Sequence, residues 1–577
     1  MPAMKRFAQS PERGFPGNFL KRAGWSILFG SILVGVVFLT YANVFDFAFV
    51  YDDEFLIQKN RFLRSWNEFS LIFQNSSTGG AGFSDPFYRP LQIVAYLFTQ
   101  QLFGGEPFGF HLLNVSLHAL NAVLVFALAM RLKLSRATAF LVALVWAVHP
   151  LHTEAITYMS GTADPLATGF LLAGLLAFLS DWKSVIRFGG AMLCFAFALL
   201  SKEGAVVFPA LLTVLIFLLS EKRRALRPYL ATLPFWAMAL GYLILRQTVL
   251  NFAGDFTMFK VENIYTQNIQ YRIMTFLATL PHYAELLLRP RDLHIDRAFP
   301  VHVEWWNAAV LGGAAMVMIG AACVARVLMK SEQGAKASAE VANATGVLSS
   351  RCLWPAWAAL WFAAAYAPCS GVFVPANSLF LEHWMYLPAV GLCIAVGAGL
   401  QNGIGLLKSG TQVASDSSAC ASRGAAGLWL RHWIGPAVSG AVVLVAAAFA
   451  FASYQQNPMW RDPISLFSTI LKYNPDVDRV RHNLAMAYSD RGDDESALEQ
   501  YRIVISHATG YPQTFHNVGE IFLRRKQFDQ AKSYYEKAIA IDPRFFPSYR
   551  ALAILYRQQG DELKAREYEE KALATQR

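Results

Sequence analysis

From Gly24 to about Tyr454 the chain alternates apolar runs with short polar breaks, and many of those runs approach the length of a bilayer. A hydrocarbon core of ~30 Å takes about 20 apolar residues in helical form. Hydrophobic residues fill 55% of the 577 positions and charged residues only 16%. A soluble protein of this size needs far more polar surface, so the class is membrane. After Trp460 the sequence changes character and becomes rich in Glu, Lys, Arg, Gln and Asp. The expected fold is all-α: a polytopic helix bundle followed by a soluble helical unit. The expected boundaries are a cytoplasmic segment at 1–23, a transmembrane domain at 24–454 and a repeat domain at 455–577.

The net charge of +10 does not point to nucleic acid, because the basic residues cluster in short segments beside apolar runs, where they set topology. Six cysteines lie between Cys194 and Cys420 with no CxxC pattern and no disulfide framework. Lys5, Arg6, Arg13, Lys21 and Arg22 precede the first apolar run, 25–44, which reads as an uncleaved signal anchor with its N-terminus inside. Further spans are expected near 109–132, 137–149, 165–180, 187–200, 204–220, 229–250, 305–328, 352–372, 384–402 and 433–454, about 11 in all. The run "YRPLQIVAYLFTQQLF" is short and broken at both ends, as an interfacial helix would be.

The breaks sort by charge. "RLKLSR", "DWKSVIR" and "EKRRALR" are basic and read as cytoplasmic; "HPLHTEAITYMSGTAD" and "SKEG" then face outside. The linkers 326–351 and 403–432 also read as cytoplasmic. Consistency requires 271–289 to be re-entrant or interfacial, and places the C-terminal unit outside.

That unit has a fixed period. Leu484, Val518 and Leu552 fall 34 apart, as do Tyr488, Phe522 and Tyr556, and Ala497, Ala531 and Ala565. Period 34 with large–small alternation is the tetratricopeptide pattern, in which antiparallel helix pairs stack into an α-solenoid with a concave binding face. Residues 465–475 look like half of a leading unit. Only about six residues separate the last apolar run from the repeats, which would keep them near the outer mouth of the bundle.

Polar residues recur on the breaks assigned to the outside: Asp52, Asp53 and Glu54; Tyr88 and Arg89; His111; His149, His152 and Glu154; Asp164; Lys202 and Glu203; Glu382 and His383. A charge within a span costs roughly 2.5–3.5 kcal/mol on insertion scales, so such a set on one face argues for a shared site. Each member also has a plain reading. Tandem acids cap helices or solvate loops, "SKEG" can be a turn with an ion pair, and His149 and His152 can be packing residues. His111 and His118 can bond within the bundle.

The stretches "FVYDDEFLIQKN", "YRPL", "HLLNVSLHALNAVLVF", "HPLHTEAITYMSGTADPLA", "LSKEGAVVFPALL" and "EHWMYLPAVG" occur in the order found in one family. The chain resembles the transmembrane-and-tetratricopeptide-repeat O-mannosyltransferases and their bacterial relatives, of the GT-C glycosyltransferase superfamily. The resemblance covers essentially the whole chain. It implies a polyprenyl-phosphate sugar donor, an inverting transfer, and a catalytic acid in the first outer loop, carried here by Asp52 and Asp53. Substrate contacts are expected from Glu54, Arg89, His149, His152, Glu154, Asp164, Lys202, Glu203, Glu382 and His383. The bacterial branch implies the inner membrane, with periplasmic repeats.

This chain has Thr162 where relatives usually carry Arg, and His383 where they often carry Arg. Arg89, Lys202 or Arg246 would then serve the donor phosphate. A hydroxyl acceptor needs a carboxylate base, worth ~10²–10⁴ in rate, and a leaving phosphate needs cations, Arg above all. No complete metal site is visible; a divalent ion on the paired carboxylates is the one cofactor the sequence admits. The expected partners are the lipid-linked donor, membrane lipid, and an acceptor protein or glycan captured by the repeats. Two rival readings are an O-antigen-ligase-like transferase, which would place essential Arg and His in a late outer loop, and a non-catalytic repeat scaffold with no use for Asp52 and Asp53.

Overall fold

The computed structural model describes residues 16–181, 183–220, 225–250, 263–333, 353–375, 378–416, 421–507 and 511–576. The described elements are helices and turns, with no strand among them. The chain divides into two compact units, Met1–Pro458 and Met459–Arg577. The basic positions Lys5, Arg6, Arg13, 221–224 and 334–351 lie outside the described residues.

In the first unit each of the expected apolar runs coincides with a helix, from Pro16–Thr40 to Ala421–Gln456. Among the described residues, seven helices are long and apolar enough to cross a membrane by length and composition; an eighth is added if Arg136–Ala147 and Pro150–Thr157, bent by 53°, form one span. Gly24–Thr40 and Glu203–Leu219 are apolar but shorter. The polar breaks fold as 3-10 turns, at Pro150–His152, Met159–Thr162, Glu203–Val207, Ala367–Cys369 and Glu382–Met385.

Local chemistry sets the ends. "YRPL" opens the helix Pro90–Phe103, with Pro90 where a missing N–H costs nothing, and Gly104 closes it in the left-handed region at φ 74°. The segment expected to be re-entrant or interfacial is a 20-residue helix, Ile269–Leu288, with Pro281 inside it. It is not among the seven. Met274, Leu277, Ala278, Tyr283 and Leu286 pack there against Tyr366, Phe380 and Met385. Gly313 makes that packing close: a Cβ at this position would collide with the Leu277 backbone. Small residues at such crossings let helices approach where no hydrophobic drive exists between them.

The second unit is an array of antiparallel helix pairs: Asp478–Asp490 with Asp494–His507, Pro512–Arg524 with Phe528–Ile541, and Phe546–Gln558 with Glu562–Gln576. The half unit is Pro463–Tyr473, capped by Asp462, whose side chain accepts the Ser465 N–H. Ala497, Ala531 and Ala565, the small positions of the period, are all fully buried. Successive units share one latch: His482 Nδ1 lies 2.8 Å from Thr514 Oγ1, and His516 Nδ1 lies 3.2 Å from Ser548 Oγ. Both pairs repeat at 34 residues, so the period fixes polar contacts as well as the apolar core.

Candidate active site

The two acids of "YDDE" part company. Asp53 is fully buried. Its Oδ2 accepts the Val50 N–H at 2.9 Å, and its Oδ1 accepts both the N–H (2.8 Å) and the hydroxyl (2.5 Å) of Ser160. Asp52 is exposed, and its backbone N–H donates to the Tyr158 hydroxyl at 2.9 Å. Tyr51, immediately before, has φ 55°. A non-glycine residue pays for that left-handed conformation, and such strain collects at functional sites. It turns the chain so that one carboxylate faces inward and its neighbour outward. Burial pushes the Asp53 carboxyl up to about 7, against the pull of its Ser160 and Val50 donors.

The break that meets Asp53, 147–165, folds as short helical turns, Pro150–His152, Thr153–Thr157 and Met159–Thr162, rather than as one continuous helix. Its carbonyls need partners, and one stripe on the helix Pro107–Arg131 supplies them. His111, Asn114, His118 and Asn121 share a face of that helix and are all buried. His118 Nε2 contacts the Ala147 carbonyl at 2.8 Å. Asn114 Nδ2 donates to the carbonyls of Ile156, Tyr158 and Met159. Asn121 Nδ2 donates to that of Pro165 at 2.8 Å. Buried carbonyls at the ends of such short turns persist only with partners of this kind. Thr162 is fully buried, and its hydroxyl donates to Asn114 Oδ1 and the Met159 carbonyl.

The remaining candidates form ion pairs across breaks. Arg89 grips Glu203 through two hydrogen bonds, Nε to Oε2 at 2.9 Å and NH2 to Oε1 at 2.5 Å. Burial alone lowers the Arg89 guanidinium; Glu203, then Asp164 and Asp85, outweigh it and the net direction is up. Lys202, next to Glu203, contacts Asp164 at 2.6 Å, with both side chains 16% exposed. His383 donates its backbone N–H to Glu154 Oε2 at 2.9 Å, and its Nδ1 lies 2.8 Å from Oε1. Glu382, buried, accepts the His294 N–H at 2.8 Å and lies 3.3 Å from Arg297. Asp164, Lys202 and His383 line a small cleft of about 50 Å³ together with Ala167, Leu171, Ala365, Trp384 and Leu387. The cleft has an ionic rim and apolar walls.

Glu54 pairs with Lys59, and both are largely exposed. His149 and His152 are buried apart from the cleft: His149 Nε2 sits 3.0 Å from the Leu287 carbonyl, and His152 packs among Trp146, His118 and Tyr386. The structure thus brings Arg89, Asp164, Lys202, Glu203, Glu154 and His383 into one ionic belt, and does not bring His149 and His152 to it. Arg246 donates to the carbonyls of Leu250 and Pro86, close to Tyr88 and Tyr242. Among the described residues no three His, Cys, Asp or Glu side chains group as metal ligands.

Ser160, Tyr158 and the 292–297 loop were missed. Tyr51 reaches Asp296 there, hydroxyl to Oδ2 at 3.4 Å, and Asp292 and Asp296 are both left-handed, at φ 54° and 59°. The legible signal was the polar stripe at 111, 114, 118 and 121; Ser160 carries none.

Three stretches, 479–505, 512–545 and 534–567, match models of the tetratricopeptide repeat. Over 91% of its length the chain is 25% identical to protein O-mannosyl-transferase TMTC3 of Mus musculus, and 24% identical to that of Homo sapiens, covering 56% of each. It is 24% identical to Tmtc3 of Drosophila melanogaster, over 89% of this chain and 58% of the relative. The chain thus resembles the transmembrane-and-tetratricopeptide-repeat O-mannosyltransferases, and spans a little over half the length of these curated relatives.

Proposed function

We propose that this multi-pass membrane protein is a glycosyltransferase that moves a sugar from a polyprenyl-phosphate donor to an acceptor hydroxyl, a protein Ser or Thr in the simplest case. The observation that carries the reading is the cleft rimmed by Lys202, Asp164 and His383 and walled by apolar side chains. An amphiphile with a phosphate head and a prenyl tail matches that division of surface. The relatives' printed name, protein O-mannosyl-transferase, supports the reaction class.

In this reading Asp52 is the base. Its exposed carboxylate takes the acceptor proton as the hydroxyl oxygen attacks the anomeric carbon, and the bond to the donor phosphate breaks on the opposite face. One base and no covalent intermediate give inversion. Asp53 holds the loop on Ser160. Arg89 and Lys202 offset the charge gathering on the leaving phosphate, and Glu203 and Asp164 keep them oriented until donor arrives. The active site then opens on the outer face of the membrane, the inner membrane of a bacterium, with the repeats on that side.

The test is transfer from a short-chain polyprenyl-phosphate mannose to a Ser/Thr peptide by the purified protein in nanodiscs, with the product anomer read by NMR. Inverted glycopeptide is expected. No product from any polyprenyl-phosphate hexose would overturn the reading.

A further inference from the structure

The segments that carry the site meet a second time, at the end of the last long helix, Ala421–Gln456. Asn457, fully buried, accepts the Thr157 hydroxyl on Oδ1 at 2.9 Å. Its Nδ2 donates to Asn43 Oδ1 at 2.8 Å and to the Thr40 carbonyl at 3.2 Å. Asn43 donates in turn to the Tyr454 carbonyl at 2.9 Å. One turn earlier, the buried Ser453 hydroxyl donates to the Val148 carbonyl at 2.9 Å. Gln456 Nε2 donates to the Leu293 carbonyl at 2.8 Å.

Each partner stands a few residues from the site. Thr40 and Asn43 begin the loop that bears Asp52 and Asp53. Val148 and Thr157 flank Glu154 and precede Ser160. Leu293 lies beside His294, whose N–H holds Glu382. Both Nδ2 hydrogens and the Oδ1 of Asn457 are thus used, on two separate segments. A buried amide costs desolvation that an apolar side chain would avoid, and in return fixes one geometry.

We propose that Asn457 is a positioning residue for the transfer reaction, locking the first-loop acids in register with the Glu154–Ser160 break. The proposal rests on the reading of Asp52 as base. The chain leaves this knot at Pro458 and enters the repeat unit at Met459, so the repeats are attached at the residue pair that holds the catalytic loop.

Two near-isosteric variants test it. Thr157→Val removes one bond at constant volume. Asn457→Asp turns two donors into acceptors that face oxygens, while keeping the bond from Thr157. Displacing reacting groups by ~1 Å costs about a hundredfold in rate, so kcat should fall about tenfold in Thr157→Val and further in Asn457→Asp. KM for donor and for acceptor should stay within about twofold. Amide exchange in 44–56 and 156–162 should rise in both variants and not in a His482→Ala control in the repeats. Unchanged kcat in both variants, or unchanged exchange in the two segments, would overturn the proposal. An inactive wild type would instead defeat the functional reading, and the exchange arm would still decide whether Asn457 holds the loop.

Discussion

Asp53 and Ser160, 107 positions apart, meet through two hydrogen bonds on a single carboxylate oxygen. This clamp ties the first loop to the 3-10 turn Met159–Thr162, and it leaves Asp52 as the exposed member of the acidic pair. The two residues therefore answer differently to the same substitution.

Asp52→Asn should abolish transfer while leaving thermal stability and donor binding near wild type. Asp53→Asn should also lose transfer, but with a lower melting temperature. Its new amide cannot accept from Val50 and Ser160 at both ends, which costs ~1–3 kcal/mol per buried donor left unmet. Transfer kinetics and thermal unfolding in the same detergent separate the two. Wild-type turnover in Asp52→Asn would place the base elsewhere.

The raised Asp53 carboxyl gives a stability slope with a definite sign. With the unfolded value near 3.8 and the folded one about 7, the folded state holds a proton that the unfolded state has released. Stability from this group is complete below about pH 4, falls as pH rises, and is flat above about 7. The shift corresponds to roughly 4 kcal/mol over that window. Subtracting the Asp53→Asn profile from the wild type should isolate it; a difference that rises with pH contradicts the burial argument.

Arg89→Gln and Lys202→Gln should each weaken donor binding about tenfold or more, with acceptor KM nearly unchanged. One charge-assisted hydrogen bond to a phosphate is worth ~1.5–3 kcal/mol. Arg89→Gln also strands the part-buried Glu203, which destabilises the fold, by less than the ~3–5 kcal/mol of a fully buried pair. The double variant Arg89→Gln, Glu203→Gln should therefore be more stable than Arg89→Gln alone and still bind donor poorly. Titration with a donor analogue checks both points.

Where the repeats are removed should matter. Truncation after Pro458 keeps Gln456 and Asn457, and should raise KM for a protein acceptor while sparing a small one. Truncation after Tyr454 deletes both knot residues and should lower kcat for every acceptor. Equal protein-acceptor kinetics in full-length protein and the Pro458 truncation would make the repeats a docking module for some other complex.

Topology is checked by single cysteines. Positions in 408–423 should label only from the cytoplasm, and positions in the repeats only from outside. Repeat labelling from the cytoplasm would remove the eleven-span arrangement.

The sequence alone determined the class, the helices and the period. Apolar run length, basic flanks and the 34-residue spacing are local properties of the chain, and solvent enforces them wherever the chain goes. It also marked a set of breaks as carriers of charge, because an ionisable residue beside an apolar run is costly enough to stand out. The tertiary structure alone decided the pairing: Arg89 with Glu203, Lys202 with Asp164, Glu154 with His383. It also turned Asp53 inward, and sent His149 and His152 into packing. Such partners are 38 to 229 residues apart, and no local rule couples them. They meet because the backbone between these short helical turns must find its hydrogen bonds, and the polar side chains that supply them fix where the charges can stand.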